Sequence, residues 1–138
     1  MRTIIWFLYF WLYLIVVLPE YWRVCRMEKR GEIERHDRLV RKHVQNWAGR
    51  LLRLAGAEIT TTGRENIPEG PVVFVANHQG YFDIPLMLTQ LDKPNPIVAK
   101  KEIMKLPMIR GWMEQLRCVF LDREDPRKSM ESRPGAAG

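Results

Sequence analysis

The pattern of hydrophobic and polar positions begins with fifteen apolar residues, Ile4 to Leu18, that include no charge. At 1.5 Å per residue a helix of this length spans about 22 Å, less than the roughly 30 Å hydrocarbon core of a bilayer. Extension to residues 3–22 brings the helix to about 30 Å. Because the segment is apolar on every side and has no small-residue cleavage site, it predicts an uncleaved membrane anchor over residues 1–22. A signal peptide and a re-entrant segment are the alternatives.

A helical spacing of apolar residues follows in residues 38–55. One stripe of such a helix holds Val40, Val44, Trp47, Leu51 and Leu54, and the other side holds Arg38, Arg41, Lys42, Arg50 and Arg53. This pattern predicts a basic amphipathic helix within residues 23–57. Two placements are open: the apolar stripe packs on the rest of the domain, or the helix rests on anionic membrane lipid.

Beyond residue 57, short apolar runs alternate with helical ones. Strands are predicted at 58–62, 72–76, 97–99 and 119–121. Helices are predicted at 83–91 and in part of 104–116, where Pro107 and Gly111 are expected to interrupt the helix. Strands separated by helices indicate an α/β fold with a mixed, mainly parallel sheet. The last strand, 119–121, is expected to form an unpaired apolar edge.

Charge and cysteine content narrow the classes of function. The net charge is +6, and basic residues follow the apolar segment closely from Arg23 to Arg30. This bias predicts a location at the cell membrane with the remainder of the chain on the cytoplasmic side. No nucleic-acid-binding motif accompanies the charge, so no nucleic acid partner is expected. Cys25 and Cys118 have no metal-ligand spacing and no pairing signal, so no metal is expected.

One constellation has the chemistry for acid–base catalysis. His78 and Asp83 lie five positions apart, directly after the predicted strand 72–76. Gly80 between them favours a turn that folds Asp83 back toward His78. The carboxylate would then hold the imidazole in one tautomer while the other ring nitrogen removes a proton. The simpler interpretation is a loop histidine and an aspartate that caps the helix beginning before Pro85.

Three blocks of sequence resemble one known family. Asn77-His78-Gln79-Gly80-Tyr81-Phe82-Asp83 resembles the NHxxxxD block of the 1-acyl-sn-glycerol-3-phosphate (lysophosphatidic acid) acyltransferases, which belong to the glycerolipid acyltransferase superfamily. Gly63-Arg64-Glu65-Asn66-Ile67-Pro68 is similar to its G-x-E-N-I-P lead-in. Residues 99–107, followed by 119–123, are similar to its second motif. The resemblance implies that residues 58–125 form the N-terminal half of the family's αβ domain.

The activity implied by this resemblance is acyl transfer to a lipid hydroxyl. The donor would be acyl-CoA or acyl-ACP (acyl carrier protein), used as a co-substrate without a further cofactor. The acceptor would be the free hydroxyl of lysophosphatidic acid, and the product phosphatidic acid. The family assigns His78 as general base and Asp83 as the group that orients it, and it places Arg123 and Lys101 near the acceptor phosphate. The alternative for Arg123 is a solvated charge at a strand end.

The chain also departs from the family pattern. The F-P-E-G-T-R block expected some tens of residues after Arg123 is absent, and the tail 126–138 has a composition typical of disorder. We therefore expect a C-terminally truncated member. The alternative function is an inactive fragment that acts at most as a membrane-anchored lipid-binding module. A hydrolase that uses the same base to activate water is a third hypothesis.

Overall fold

The computed structural model describes residues 1–77, 79–80, 82–91 and 96–121. In these ranges the chain forms five α-helices, two strands and two short 3-10 turns. The helices are α1 (Arg2–Val16), α2 (Leu18–Lys29), α3 (Ile33–Ala55), α4 (Asp83–Gln90) and α5 (Pro107–Gln115). The strands are β1 (Val98–Lys100) and β2 (Val119–Leu121), and the 3-10 turns are Arg64–Asn66 and Lys101–Lys105. The described part of the fold is therefore a mostly helical α/β arrangement with a small sheet.

The apolar N-terminal segment forms two helices rather than one. α1 ends at Val16, α2 begins at Leu18, and the pair is bent by 48° at the break. Pro19 lies in the first turn of α2, where it has no N–H to continue the hydrogen-bond ladder of α1. The prediction of one continuous helix over residues 3–22 is therefore wrong. No single helix of the described residues is long and apolar enough to cross a membrane, although α1 and α2 together reach that length and composition.

The amphipathic helix predicted at 38–55 is confirmed within the longer helix α3. Its apolar stripe is buried at Val40 and Leu51, which are 1% exposed. α3 packs against α1, α2, α4 and α5, so the stripe lies against the protein itself. Gly56 ends the helix in the left-handed conformation, with φ 73°, where glycine has no steric penalty.

The two strands of the described sheet are parallel. Val98 pairs with Val119 and Lys100 with Leu121, and α5 lies in the connection between the strands. Strands were predicted at 97–99 and 119–121, and both are confirmed, the first shifted by one residue. β2 is not fully unpaired, because β1 covers one of its edges. Ala99 and Cys118 are the buried residues at this sheet.

Two other predicted strands are wrong. Residues 58–62 and 72–76 form no strand, and no described segment pairs with either. In 72–76, exposure still alternates along the chain: Val73 is 89% and Val75 92% exposed, whereas Val72 and Phe74 are half-buried. The segment thus has one face on the protein, but among the described residues it has no ladder partner of the kind that a strand requires. In 58–62, Thr61 instead donates a side-chain hydrogen bond to Gln90 at the end of α4.

Helix α5 passes through Gly111 without interruption, so the interruption predicted at this residue is wrong. The expected interruption at Pro107 is confirmed, because the 3-10 turn Lys101–Lys105 ends before it and α5 begins at Pro107, where proline is well tolerated. Gly111 is buried and faces Tyr21 of α2, whose ring also lies 5.5 Å from that of Trp112. A Cβ atom at position 111 would lie 2.6 Å from Oη and 2.9 Å from Cζ of Tyr21. Glycine is thus required for the close approach of α2 and α5.

Substitution of Gly111 by alanine should destabilise the protein. The forced separation from the Tyr21 ring costs about 1–3 kcal/mol, more than the roughly 0.5–1 kcal/mol that alanine gains in helix propensity. The measurement is the free energy of unfolding by urea in detergent micelles. Gly49→Ala is the matched control in α3, because its Cβ would meet only Thr89 Cγ2 at 3.9 Å. Equal effects of the two substitutions would contradict the proposed close approach.

The thiol of Cys118 should react slowly in the folded protein. Cys118 is 4% exposed, and its Sγ accepts a hydrogen bond from the Ile97 backbone N–H at 3.4 Å. Burial raises the pKa of the Cys118 thiol, an effect that the Ile97 N–H partly opposes. In a Cys25→Ser variant we expect alkylation at mildly alkaline pH to be at least about tenfold slower in the folded than in the urea-unfolded protein. Similar rates in the two states would show that the β1–β2 packing is open.

Candidate active site

The carboxylate of Asp83 is fixed by the loop that precedes it. Asp83 is the first residue of α4, and its Oδ2 accepts the backbone N–H groups of Gln79 at 2.5 Å and Gly80 at 3.0 Å. The backbone N–H of Asp83 in turn donates to the Gly80 carbonyl at 3.4 Å. Two backbone N–H groups thus donate to the same carboxylate oxygen. The turn around Gly80 therefore folds Asp83 back onto residues 79 and 80.

This geometry differs from a helix cap. Phe82 occupies the N-cap position of α4, and no side-chain cap hydrogen bond forms there. Asp83 thus lies one residue inside the helix and bonds the loop behind it. His78 lies outside the described residues, so its pairing with Asp83 stays a prediction.

Helix α4 is held against the N-terminal helices. Its buried residues are Pro85 and Leu88, and its main packing partner is α3. Thr89 adds a side-chain hydrogen bond to the Pro85 carbonyl at 2.9 Å. Next to the loop, the ring of Phe82 meets the ring of Trp6 from α1 edge-on, with centroids 5.9 Å apart. The start of α4, where Asp83 lies, is therefore anchored to both α3 and α1.

The two candidate phosphate ligands follow the two strands of the sheet. Lys101 is exposed and comes directly after β1, which ends at Lys100. β2 ends at Leu121, two residues before Arg123, and Arg123 lies outside the described residues. Because Lys100 pairs with Leu121 in a parallel ladder, the carboxyl ends of β1 and β2 lie side by side. The relation of Lys101 and Arg123 to Asp83 stays a prediction.

One contact near this site was not predicted from the sequence. Gln90 at the end of α4 accepts hydrogen bonds at Oε1 from Thr61 Oγ1, at 2.8 Å, and from Arg64 Nη2, at 2.9 Å. Arg64 belongs to the lead-in block at 63–68, so this block is tied to α4. The block itself was visible in the sequence, whereas nothing marked Gln90, 26 residues later, as its partner.

Comparison with known proteins identifies the same family as the sequence motifs. A family model described as acyltransferase matches residues 58–136 of the 138. A 1-acyl-sn-glycerol-3-phosphate acyltransferase from Chlamydomonas reinhardtii is 33% identical over 71% of this chain and 30% of its own length. A chloroplastic enzyme of the same name from Arabidopsis thaliana is 38% identical over 54% of this chain and 21% of its own length. One from Pseudomonas aeruginosa is 31% identical over 64% of this chain and 35% of its own length.

The matches cover only part of each related protein. The chain spans between 21% and 35% of the length of these three relatives. No solved structure gives a significant match. The family model, however, covers more than half of the chain and includes the NHQGYFD block, the sheet and the Arg123 position. The chain therefore belongs to the acyltransferase family.

Proposed function

We propose that this chain provides the His78–Asp83 centre of a 1-acyl-sn-glycerol-3-phosphate acyltransferase. The enzyme transfers a fatty acyl chain from acyl-CoA or acyl-ACP to the free hydroxyl of lysophosphatidic acid and forms phosphatidic acid. The observation that carries the proposal is the Asp83 carboxylate, turned back and fixed at Oδ2 by the backbone of Gln79 and Gly80. These are the residues that follow His78 in the NHQGYFD block.

In the proposed reaction His78 is the general base. It removes the proton of the acceptor hydroxyl, whose oxygen attacks the thioester carbonyl and forms a tetrahedral intermediate. Collapse of the intermediate breaks the carbon–sulfur bond, and the thiolate leaves with the proton that His78 carried. Asp83 orients the imidazole and stabilises the imidazolium. Transfer is direct, so the reaction needs no acyl-enzyme, metal or other cofactor.

Lys101 and Arg123 are proposed to bind the phosphate of the acceptor. The planar guanidinium of an arginine bonds two phosphate oxygens at once, and a lysine adds a compact positive charge. The side-by-side carboxyl ends of β1 and β2 support this assignment. An acceptor held there by its phosphate would have its free hydroxyl at a limited distance from these two side chains.

We further propose that the protein acts at the cell membrane from the cytoplasmic side. α1 exposes a large apolar surface, with Ile4 72%, Leu8 59% and Val16 73% exposed. Basic residues of α3, among them Arg38, Lys42, Arg50 and Arg53, are also exposed. An apolar surface and nearby positive charge suit a bilayer that contains anionic lipid. The Trp6–Phe82 contact would keep the active-site loop close to this surface.

The first experiment is acyl transfer in detergent micelles, from a long-chain acyl-CoA to lysophosphatidic acid, followed by thiol release and by phosphatidic acid formed. His78→Ala should lower kcat by about 10²–10⁴-fold, because it removes the general base. His43→Gln is a control for loss of a histidine outside the site. Undiminished turnover in the His78→Ala variant would overturn the proposal.

Asp83 variants separate the charge of the side chain from its structural bonds. In Asp83→Asn the amide oxygen still accepts the N–H groups of Gln79 and Gly80, so the loop should keep its conformation while kcat falls by about 10²-fold. In Asp83→Ala the two loop bonds are also lost, and hydrogen exchange at residues 79 and 80 should accelerate. Full activity in Asp83→Asn would show that the carboxylate only shapes the loop.

The second candidate function is a membrane-anchored lipid-binding module without catalysis. The exposed apolar surface of α1 favours it, because lipid binding needs that surface and not His78. Vesicle binding by a folded protein with no turnover, unchanged in the His78→Ala variant, would support this alternative. Release of free fatty acid in the absence of acceptor would instead indicate a hydrolase.

A further inference from the structure

A row of aromatic rings leads from α3 across α1 to the first turn of α4. The ring centroids of Trp47 in α3 and Phe10 in α1 are 5.6 Å apart, and Phe10 stacks on Trp6 of the same helix at 5.8 Å. The Trp6 ring in turn meets the ring of Phe82 edge-on, with centroids 5.9 Å apart and an angle of 75° between the planes. We call these four residues the aromatic row. It joins α3 to the residue directly before Asp83.

The backbone couples Phe82 closely to Asp83. Phe82 is the N-cap residue of α4, with φ −87° and ψ −8°, and its carbonyl accepts the backbone N–H of Leu86 at 3.0 Å. Phe82 thus belongs to the first turn of the helix, in which the directions of successive side chains are fixed relative to one another. A restraint on the Phe82 ring is therefore also a restraint on the direction in which the Asp83 carboxylate leaves the helix.

The packing of α4 on α3 acts further along the helix than Asp83. Leu88, which is 5% exposed, holds the second half of α4, whereas residues 79 and 80 are exposed. The backbone N–H groups of these two residues donate to Asp83 Oδ2. Hydrogen bonds at exposed positions compete with water, so their persistence depends on how firmly Asp83 itself is held. The contact between Trp6 and Phe82 holds the start of α4 from a second helix, α1.

The contact depends on the aromatic ring of Trp6 and not on its polar atom. Trp6 Nε1 is buried, and none of the described residues offers it a hydrogen-bond acceptor. A buried donor without a partner is unfavourable, whereas aromatic rings that meet edge-on attract each other. Phenylalanine at position 6 would keep an aromatic ring and remove the unpaired donor. Leucine would keep apolar volume and lose the aromatic contact, so these two substitutions isolate the role of the ring.

We propose that Trp6 is a positioning residue for the active-site loop. Through the ring of Phe82 it holds the Asp83 carboxylate, and with it the backbone of Gln79 and Gly80, in the orientation used in acyl transfer. The inference rests on the proposed function, because that function gives Asp83 its part in the reaction. Trp6 need not touch any substrate. α1 thereby acts on the loop directly, in addition to its contact with lipid.

The first test is hydrogen exchange of the amides of residues 79 and 80, with the full chain in detergent micelles. Trp6→Leu should accelerate this exchange about three- to tenfold, as expected for the loss of one aromatic pair. Amides 48–52 in the buried part of α3 should keep their protection, which would exclude global unfolding as the cause. Trp6→Phe should restore most of the protection. Phe82→Leu should match Trp6→Leu, and the double variant should exchange no faster, because both substitutions remove the same contact.

Trp11→Leu is the matched control for this test. Trp11 lies on α1 and also meets Phe10 edge-on, with ring centroids 5.5 Å apart, but it makes no ring contact with Phe82. Its substitution removes an indole from the same helix and should leave exchange at residues 79 and 80 unchanged. Equal acceleration in Trp11→Leu and Trp6→Leu would show a general loosening of α1 and would overturn the specific role of Trp6.

The second test is the kinetics of acyl transfer in the same micelles. Trp6→Leu should lower kcat about tenfold and change KM for lysophosphatidic acid less than about threefold, because orientation in the chemical step is lost more than acceptor binding. Trp6→Phe should recover most of kcat. In an Asp83→Asn background, Trp6→Leu should lower kcat less than about twofold further, because the charge that Trp6 positions is already absent. A protein that is only destabilised would lose active fraction by the same factor in both backgrounds.

The outcomes distinguish this inference from the proposed function. Exchange at residues 79 and 80 that is unaffected by Trp6→Leu overturns the role of Trp6, whether or not the protein turns over. Equal losses of kcat with Asp83 and with Asn at position 83 overturn it as well. If the folded, unaltered protein shows no turnover, but Trp6→Leu accelerates the exchange and Trp6→Phe restores protection, the restraint on the loop is supported and the proposed function is what fails.

Discussion

Burial of the apolar stripe of α3 is the constraint on which the rest of the described structure depends. Val40 and Leu51 are 1% exposed, and the helix meets α1, α2, α4 and α5 around its surface. At roughly 25 cal/mol per Å² of apolar area, burial of such side chains contributes about 1.5–3 kcal/mol each. Every element that carries a candidate site residue is held directly or through a neighbour to this helix.

The active-site loop combines that packing with a local hydrogen-bond arrangement. α4 is anchored by Leu88 against α3, and at its first residue the Asp83 carboxylate holds the backbone of Gln79 and Gly80. A rigid helix thus positions a charged group at a loop, which is a common way to fix catalytic geometry. The same side chain supports the fold of the loop and, in the proposed function, the base His78.

In the proposed function, the surface that faces the membrane and the residues that bind the phosphate belong to opposite ends of the described sequence. α1 and α2 offer apolar surface at the N-terminal end, and the sheet offers the strand ends next to Lys101 at the other. Between these ends, hydrogen bonds of Gln115 in α5 reach His36 of α3 and Glu28 of α2. Polar contacts inside a small domain are directional, so they define one arrangement of helices where apolar packing would allow several.

Local patterns in the sequence by themselves determined α3, α4, both short strands and the NHQGYFD block, because helical periodicity, β-branched runs and motif spacing are properties of neighbouring residues. The tertiary structure alone decided the contacts between distant segments. Gly111 is a close-packing position because Tyr21 of α2 approaches it. His36 forms a hydrogen bond with Gln115, which lies 79 positions further along the chain. Residues 72–76 form no strand, because no described segment supplies the hydrogen-bond partner that their apolar pattern cannot specify.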